Sequence, residues 1–193
     1  MSKRMDENQL LESARKGDRD AFRRLVEENS RPMYQLAWRI IGDPELAEDV
    51  VQEAFIKAHQ QLPNFDNRSK FSTWLYRITT NAAIDMQRKN KRHNIDSIET
   101  DEQLFQSDAI PQQELTDKDQ LIKSATARVM SELTVQERTA FSLKHYEGHS
   151  IAQICDILSA SESAVKQAIF RAVKKLRTQL MPIINDQSEE YSS

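Results

Sequence analysis

The chain has 193 residues, a net charge of −3 from 27 Lys and Arg against 30 Asp and Glu, three glycines and one cysteine. An average composition would give about 13 glycines. The three present, Gly17, Gly42 and Gly148, stand far apart, so a glycine-rich phosphate loop is excluded, and all-β and doubly wound α/β folds are disfavoured. The single cysteine excludes a disulfide framework and a multi-cysteine zinc site. Because no apolar stretch could span a membrane and no secretory signal is visible, we expect a cytoplasmic protein with no direct membrane insertion.

Charged residues are grouped in blocks along the chain. Residues 68–93 carry seven basic groups and one acidic group, and residues 161–181 carry five and one, whereas residues 94–119 carry eight acidic groups and one basic group. The acidic block has no sustained hydrophobic period, and its like charges repel, which is typical of an extended linker. We therefore predict two small helical domains, residues 1–93 and 120–182, joined by a flexible acidic linker at 94–119 and followed by a polar tail at 183–193.

The first domain has helical periodicity throughout. A short helix is predicted to end near Gly17, and a longer one to begin at a cap on Asp20 and to break or bend near Pro32. Asp43-Pro44 then opens a third helix with a capping carboxylate and a proline at the first helical position. The polar side of that helix carries Asp49, Gln52 and Glu53.

A basic, aromatic segment follows. Rings on which unpaired bases stack, cations for the backbone and amides for base edges are typical of single-stranded nucleic-acid binding. The alternative is that Phe71, Trp74 and Ile78 are core residues at helical spacing, but this does not explain the basic run at 88–92 or Asn81. The candidate residues are Phe65, Asn67, Ser69, Lys70, Phe71, Trp74, Arg77 and Asn81.

The second domain contains two capping boxes, at 134–137 and 150–153. The second box opens a helix of about eight residues, and the short turn 159–161 leads into a longer basic helix capped by Ser161. This arrangement predicts a helix-turn-helix motif, in which the second helix presents groups suited to phosphates and base edges. The alternative is an ordinary helical hairpin with a solvated basic face. The exposed face carries Lys166, Gln167, Phe170, Arg171 and Lys174.

These blocks, in this order, resemble the extracytoplasmic-function (ECF) group of bacterial RNA polymerase sigma factors over nearly the whole chain. The most specific stretches are residues 43–57, residues 71–78 and residues 133–138 leading into the helix-turn-helix. The resemblance implies an all-α, two-domain promoter-recognition subunit with no catalytic residues, cofactor or metal, in which residues 1–93 are sigma region 2 and residues 120–182 are region 4. The turn departs from the family, which often has glycine where this chain has Ser159-Ala160.

The resemblance also implies roles for the candidate residues. Asp49, Gln52 and Glu53 match the surface that docks on the clamp coiled coil of the largest polymerase subunit. The segment 65–70 and the helix through Asn81 match the part that captures a flipped minus-ten base and holds the melted strand, and the exposed face of the last helix matches the part that reads the minus-thirty-five duplex. The implied partners are core RNA polymerase (clamp and flap), promoter DNA and an anti-sigma factor, which can be membrane-bound and then holds the sigma factor at the inner membrane.

Two functions of other classes remain open at this point. One is a helix-turn-helix repressor or activator that dimerises on palindromic DNA, and the other is an adaptor of helical hairpins that does not bind DNA. An enzyme has the least support, because no paired carboxylates, nucleophile–base set or metal cluster is visible.

Overall fold

The computed structural model describes residues 6–66, 69–93 and 117–189. All regular structure in these ranges is helical, as predicted, and the chain divides between Gln87 and Arg88, within a helix, into two compact units. No helix of the described ranges combines the length and the apolar character needed to cross a membrane. The helices are α1 (Glu7–Arg15), α2 (Arg19–Ile41), α3 (Pro44–Gln61), a 3-10 helix (Leu62–Asn64), α4 (Phe71–His93), α5 (Asp117–Glu132), α6 (Val135–His145), α7 (Ile151–Leu158) and α8 (Glu162–Glu189).

The second helix differs from the sequence prediction at its start, and it is unbroken at its proline. The cap is Asp18, whose carboxylate accepts hydrogen bonds from the N–H groups of Asp20 (2.9 Å) and Ala21 (3.1 Å). The predicted cap, Asp20, therefore lies inside the first turn. The helix also continues through Pro32 without a break. The next residue, Met33, is fully buried, and tertiary packing of this kind offsets the hydrogen bond that proline cannot donate.

The third helix begins as the sequence predicts. The Asp43 carboxylate accepts a hydrogen bond from the N–H of Leu46 at 3.0 Å, and Pro44 occupies the first turn. The buried side of α3 packs against α2, which leaves the opposite side to solvent. The buried residues of α3 are Ala47, Val50, Ala54, Phe55 and Ala58.

In the second unit, α5, α6 and α7 all pack against α8. Both predicted capping boxes are present, on Thr134 and on Ser150. Arg138 is buried beside the core, where its Nη1 donates to the carbonyl oxygen of Met130 at 3.3 Å, and burial lowers its pKa to about 10. The core cluster between α5 and α8 is formed by Val129, Met130, Leu133, Ala172 and Leu176.

Candidate nucleic-acid interfaces

Phe65, Phe71 and Trp74 form an aromatic cluster at the start of α4. The Trp74 ring lies 4.8 Å from that of Phe65 and 5.7 Å from that of Phe71, measured between centroids. Phe65 and Phe71 are 4% and 1% exposed, whereas Trp74 is half-buried. The two phenylalanine rings are therefore core residues in this conformation and pack against the Trp74 ring. Their contact with the melted strand stays a prediction.

The polar candidates of α4 share one exposed face. Arg77 and Asn81 are exposed one helical turn apart, and Trp74 lies about one turn before Arg77. Lys70, just before the helix, is also exposed. The neighbouring positions on the other side of the helix are buried, which fixes the rotation of the helix: Leu75, Ile78, Thr79, Thr80, Ala82 and Ala83. A ring, an amide and two cations on one surface match the chemistry of single-strand binding. The predicted contact Asn67 lies outside the described residues.

A pocket of about 310 Å³ lies beside the aromatic cluster, between α1 and the segment before α4. Leu10 and Leu11 are buried, and Arg15 Nη2 donates to the carbonyl oxygen of Pro63 at 3.4 Å, so α1 is tied to the 3-10 helix. The α1 side of this pocket is not predicted by the sequence, because a contact between segments so far apart depends on tertiary packing. The lining residues are Glu7, Asn8, Leu11, Phe65, Ser69, Lys70 and Phe71.

The polar face of α3 has an apolar centre. Asp49 and Gln52 are exposed, and the partly exposed Glu53 accepts from Lys57 Nζ at 2.5 Å. Ile56 follows one turn later on the same face and is 59% exposed. Ile56 is not among the residues predicted from the sequence for this face. The one sequence signal for it is its spacing: it lies seven residues, or two helical turns, after Asp49 and therefore on the same side of the helix, away from the buried stripe.

The helix-turn-helix is formed by α7, a three-residue turn and the start of α8. The Ser150 hydroxyl accepts from the N–H of Gln153 at 3.2 Å, and the Gln153 side chain accepts from the N–H of Ser150 at 2.9 Å, which completes the capping box of α7. Ser159 ends α7 in the left-handed conformation, with φ 49° and ψ 44°. The Ser161 hydroxyl then accepts from the N–H of Ala164 at 3.3 Å and caps α8, as predicted.

The predicted reading face of α8 points to solvent. Phe170 is 68% exposed, although it is a large apolar side chain. The opposite side of the helix is anchored by Val165, Ala172 and Leu176, which are at most 8% exposed. The exposed residues on the reading face are Lys166, Gln167, Phe170, Arg171 and Lys174.

Each of the two units matches a family model of known proteins. Residues 25–93 match the family model of Sigma-70 region 2, and residues 124–176 match that of Sigma-70 region 4. The chain is 33% identical over 178 residues to the ECF RNA polymerase sigma factor SigW of Bacillus subtilis, covering 88% of this chain and 94% of that protein. The chain belongs to the ECF group of RNA polymerase sigma factors.

Other ECF relatives match over similar lengths. RNA polymerase sigma-H factor of Pseudomonas aeruginosa is 32% identical, with coverage of 93% of this chain and 96% of that protein. ECF RNA polymerase sigma-E factor of Escherichia coli is 31% identical, with coverage of 95% and 99%. Since these are transcription initiation factors, membership of the group decides against the dimerising repressor or activator and against the adaptor that does not bind DNA.

Two solved structures share the fold of this ECF sigma factor. CnrH, solved in complex with the cytosolic domain of CnrY, has a TM-score of 0.65 at 24% identity, covering 90% of this chain and 96% of that chain. The sigma factor RpoE of Bartonella quintana, solved with the anti-sigma factor NepR, has a TM-score of 0.67 at 22% identity, covering 83% and 96%.

Proposed function

We propose that this ECF sigma factor binds core RNA polymerase and directs it to one class of promoters through two DNA contacts. The observation that carries the proposal is the reading face of α8, where five predicted DNA-binding side chains are exposed and the opposite side is buried. The N-terminal part of the second helix in such a motif enters the major groove. In this proposal α8 reads the minus-thirty-five duplex.

The second DNA contact is the exposed face of α4. Trp74 offers a partly exposed ring, Asn81 an amide, and Arg77 and Lys70 positive charges. Base–aromatic stacking contributes about 1–3 kcal/mol per base, so capture of unpaired minus-ten bases would stabilise the opened duplex. The free energy of binding the unpaired bases then drives strand opening. This subunit acts as an initiation factor and does not hydrolyse a nucleotide.

The polymerase contact is assigned to the face of α3 that carries Asp49, Gln52, Glu53 and Ile56. An exposed apolar residue surrounded by polar groups has the anatomy of an interface centre with a polar rim. In this proposal the partner of that face is the clamp coiled coil of the largest polymerase subunit.

Transcription in vitro with core polymerase and a promoter library tests the function. Wild-type protein is expected to start transcription from one promoter class, and Arg171→Ala to reduce that activity about tenfold, in line with the discrimination that one good base contact provides. Arg128→Ala, which removes an exposed arginine from α5, is the matched control. A wild-type protein that supports no promoter-specific initiation would overturn the proposal.

The minus-ten contact is tested separately by its effect on strand opening. Arg77→Ala is expected to reduce permanganate reactivity of unpaired thymines in the open complex while minus-thirty-five preference stays unchanged. Arg24→Ala, an exposed arginine of α2, is the control. Equal opening by both variants would remove Arg77 from the proposed contact.

We further propose an anti-sigma factor as a regulatory partner. The RpoE of Bartonella quintana was solved with such a factor, and the second unit here leaves Leu121 of α5 and Met181 of α8 46% and 44% exposed. A partner that covers these apolar side chains and competes with core polymerase would keep the sigma factor inactive. Co-purification from the native host, followed by displacement with core polymerase, tests this, and a retained partner at saturating polymerase would contradict it.

The domain organisation stays part of the proposal, with region 2 at 1–93, the linker at 94–119, region 4 at 120–182 and the tail at 183–193. The linker lies outside the described residues except for its last three, which belong to α5.

A further inference from the structure

Glu162 is the one acidic residue in the basic block 161–181. It begins α8, and its carboxylate forms an ion pair with Lys166, one turn later on the same side of the helix. Both side chains are more than half exposed, at 65% and 61%. The hydrogen bond between them lowers the pKa of Glu162 and raises that of Lys166, so both groups are charged at neutral pH.

A paired lysine behaves differently from a free lysine at a DNA surface. A free ammonium group gains from any phosphate, because it displaces condensed counterions irrespective of sequence. The ion pair of Glu162 and Lys166 has no net charge, so a phosphate contact by Lys166 brings the carboxylate toward the negative backbone or breaks the pair. Sequence-independent binding therefore gains little from this lysine.

A G·C base pair satisfies both partners together. In the major groove guanine presents the acceptors O6 and N7, and cytosine presents the N4 amino donor beside them. An ammonium group donates to O6 or N7 of guanine, and a carboxylate accepts from the N4 amino group of cytosine. We propose that Glu162 and Lys166 act as one unit that reads a single G·C base pair, which makes Glu162 a specificity-determining residue; this inference rests on the proposed reading of duplex DNA by α8.

The position of Glu162 also has a purely structural explanation. A carboxylate in the first turn interacts favourably with the helix dipole, and i,i+4 pairs stabilise helices. That role would affect the stability of α8 but would not select one base over another. The deciding measurement is therefore base preference, with helix stability measured alongside it.

The experiment uses the full chain bound to core polymerase and a promoter library randomised in the minus-thirty-five duplex. Glu162→Gln and Lys166→Gln are each expected to reduce the preference for G·C about tenfold at the same single position, and the double variant no further than the stronger single one. Glu162→Gln frees Lys166 for a phosphate, so the slope of log K against log salt is expected to steepen by about one. The matched control is Asp156→Asn, which removes an exposed carboxylate from α7 in the same motif.

The possible outcomes separate the inference from the proposed function. If Glu162→Gln and Asp156→Asn both raise DNA affinity uniformly and leave every base preference unchanged, Glu162 contributes only general repulsion and the inference is overturned. The same holds if Glu162→Gln lowers the thermal stability of the chain with no change in preference. If the wild-type holoenzyme itself selects no upstream sequence, the proposed function of α8 fails first.

Discussion

Lys175 Nζ of α8 lies 2.7 Å from Oε2 of Glu137 in the first turn of α6. The same carboxylate oxygen accepts from the N–H of Thr134 at 3.0 Å, so one group completes the capping box of α6 and joins that helix to α8. The Glu137 side chain is 7% exposed, whereas that of Lys175 is 40% exposed. It is one of the contacts through which α6 packs against α8, the helix proposed to read DNA.

Replacement of Glu137 by Gln is expected to weaken the second unit. The variant loses the ion pair and keeps a neutral acceptor, so we expect a loss of about 1–2 kcal/mol, discounted because solvent screens the lysine. Hydrogen exchange of the α6 and α8 amides measures it. Glu132→Gln is the control, since this exposed carboxylate accepts from Gln179 Nε2 at 2.5 Å across α5 and α8 and we expect a change below about 0.5 kcal/mol. Equal losses of stability in Glu137→Gln and Glu132→Gln would show that the Glu137 contact stabilises the unit no more than an exposed one.

The pH dependence of the same contact follows from the pKa of Glu137. Burial raises this pKa, but the hydrogen bond from Lys175, the N–H of Thr134 and the lysine charge outweigh burial and lower it below the ordinary 4.5. The stabilisation is therefore present above pH 4.5 and is lost as the pH falls through the folded-state value. Protection of α6 in wild-type protein should fall with acid in this range, and Glu137→Gln should show a smaller fall.

Local signals predicted much of this fold because they act within a few residues. The caps at Asp43, Thr134, Ser150 and Ser161 each accept from the N–H group three residues away, and so they are visible in the sequence. The α1 side of the pocket and the contact of Glu137 with Lys175 join residues far apart in the chain. The burial of Phe65 likewise depends on neighbours brought together by folding.

The exposed apolar residue of α3 gives a prediction about polymerase binding. Ile56→Ser is expected to weaken binding to core polymerase by about 1–2 kcal/mol, or 5- to 30-fold in Kd, because interface centres with apolar anchors carry much of the binding energy. Its 59% exposure predicts an unchanged melting temperature. Titration of labelled core polymerase measures the effect, with Ile56→Leu as the control. Unchanged affinity for Ile56→Ser would place the interface elsewhere.

His149, between α6 and α7, is expected to make the stability of the second unit sensitive to mild acid. Burial lowers its pKa below the ordinary 6.5, although the charge of Glu147 and a hydrogen bond with Gln153 oppose this. The unfolded state therefore binds more protons just below pH 6.5, and stability falls as the pH drops from 6.5 toward the folded-state value. His149→Asn should flatten this part of the profile of α7 amide protection, with His145→Asn as the control. An unchanged slope in His149→Asn would assign the acid sensitivity to another group.

The turn of the helix-turn-helix gives a prediction about backbone strain. Ser159 has φ 49° and ψ 44°, and it is the one residue other than glycine with positive φ in the described ranges. A side chain costs about 1–2 kcal/mol in this conformation. Replacement by glycine removes this strain, but the greater unfolded-state entropy of glycine offsets part of the stability gained. Ser159→Gly is therefore expected to stabilise α7 and the start of α8 by about 0.5–1 kcal/mol.

Ser159→Val is the opposing variant, because a β-branched residue is least compatible with positive φ. It should lower the protection of the same amides. Ser163→Gly, in the first turn of α8, should also destabilise the helix, because glycine loses more backbone entropy on folding than other residues. If Ser159→Gly lowered protection as Ser163→Gly does, the left-handed turn would not be the conformation in solution. The promoter preference of Ser159→Gly should equal that of the wild type, since the substitution relieves strain in the turn and leaves the reading face of α8 unchanged.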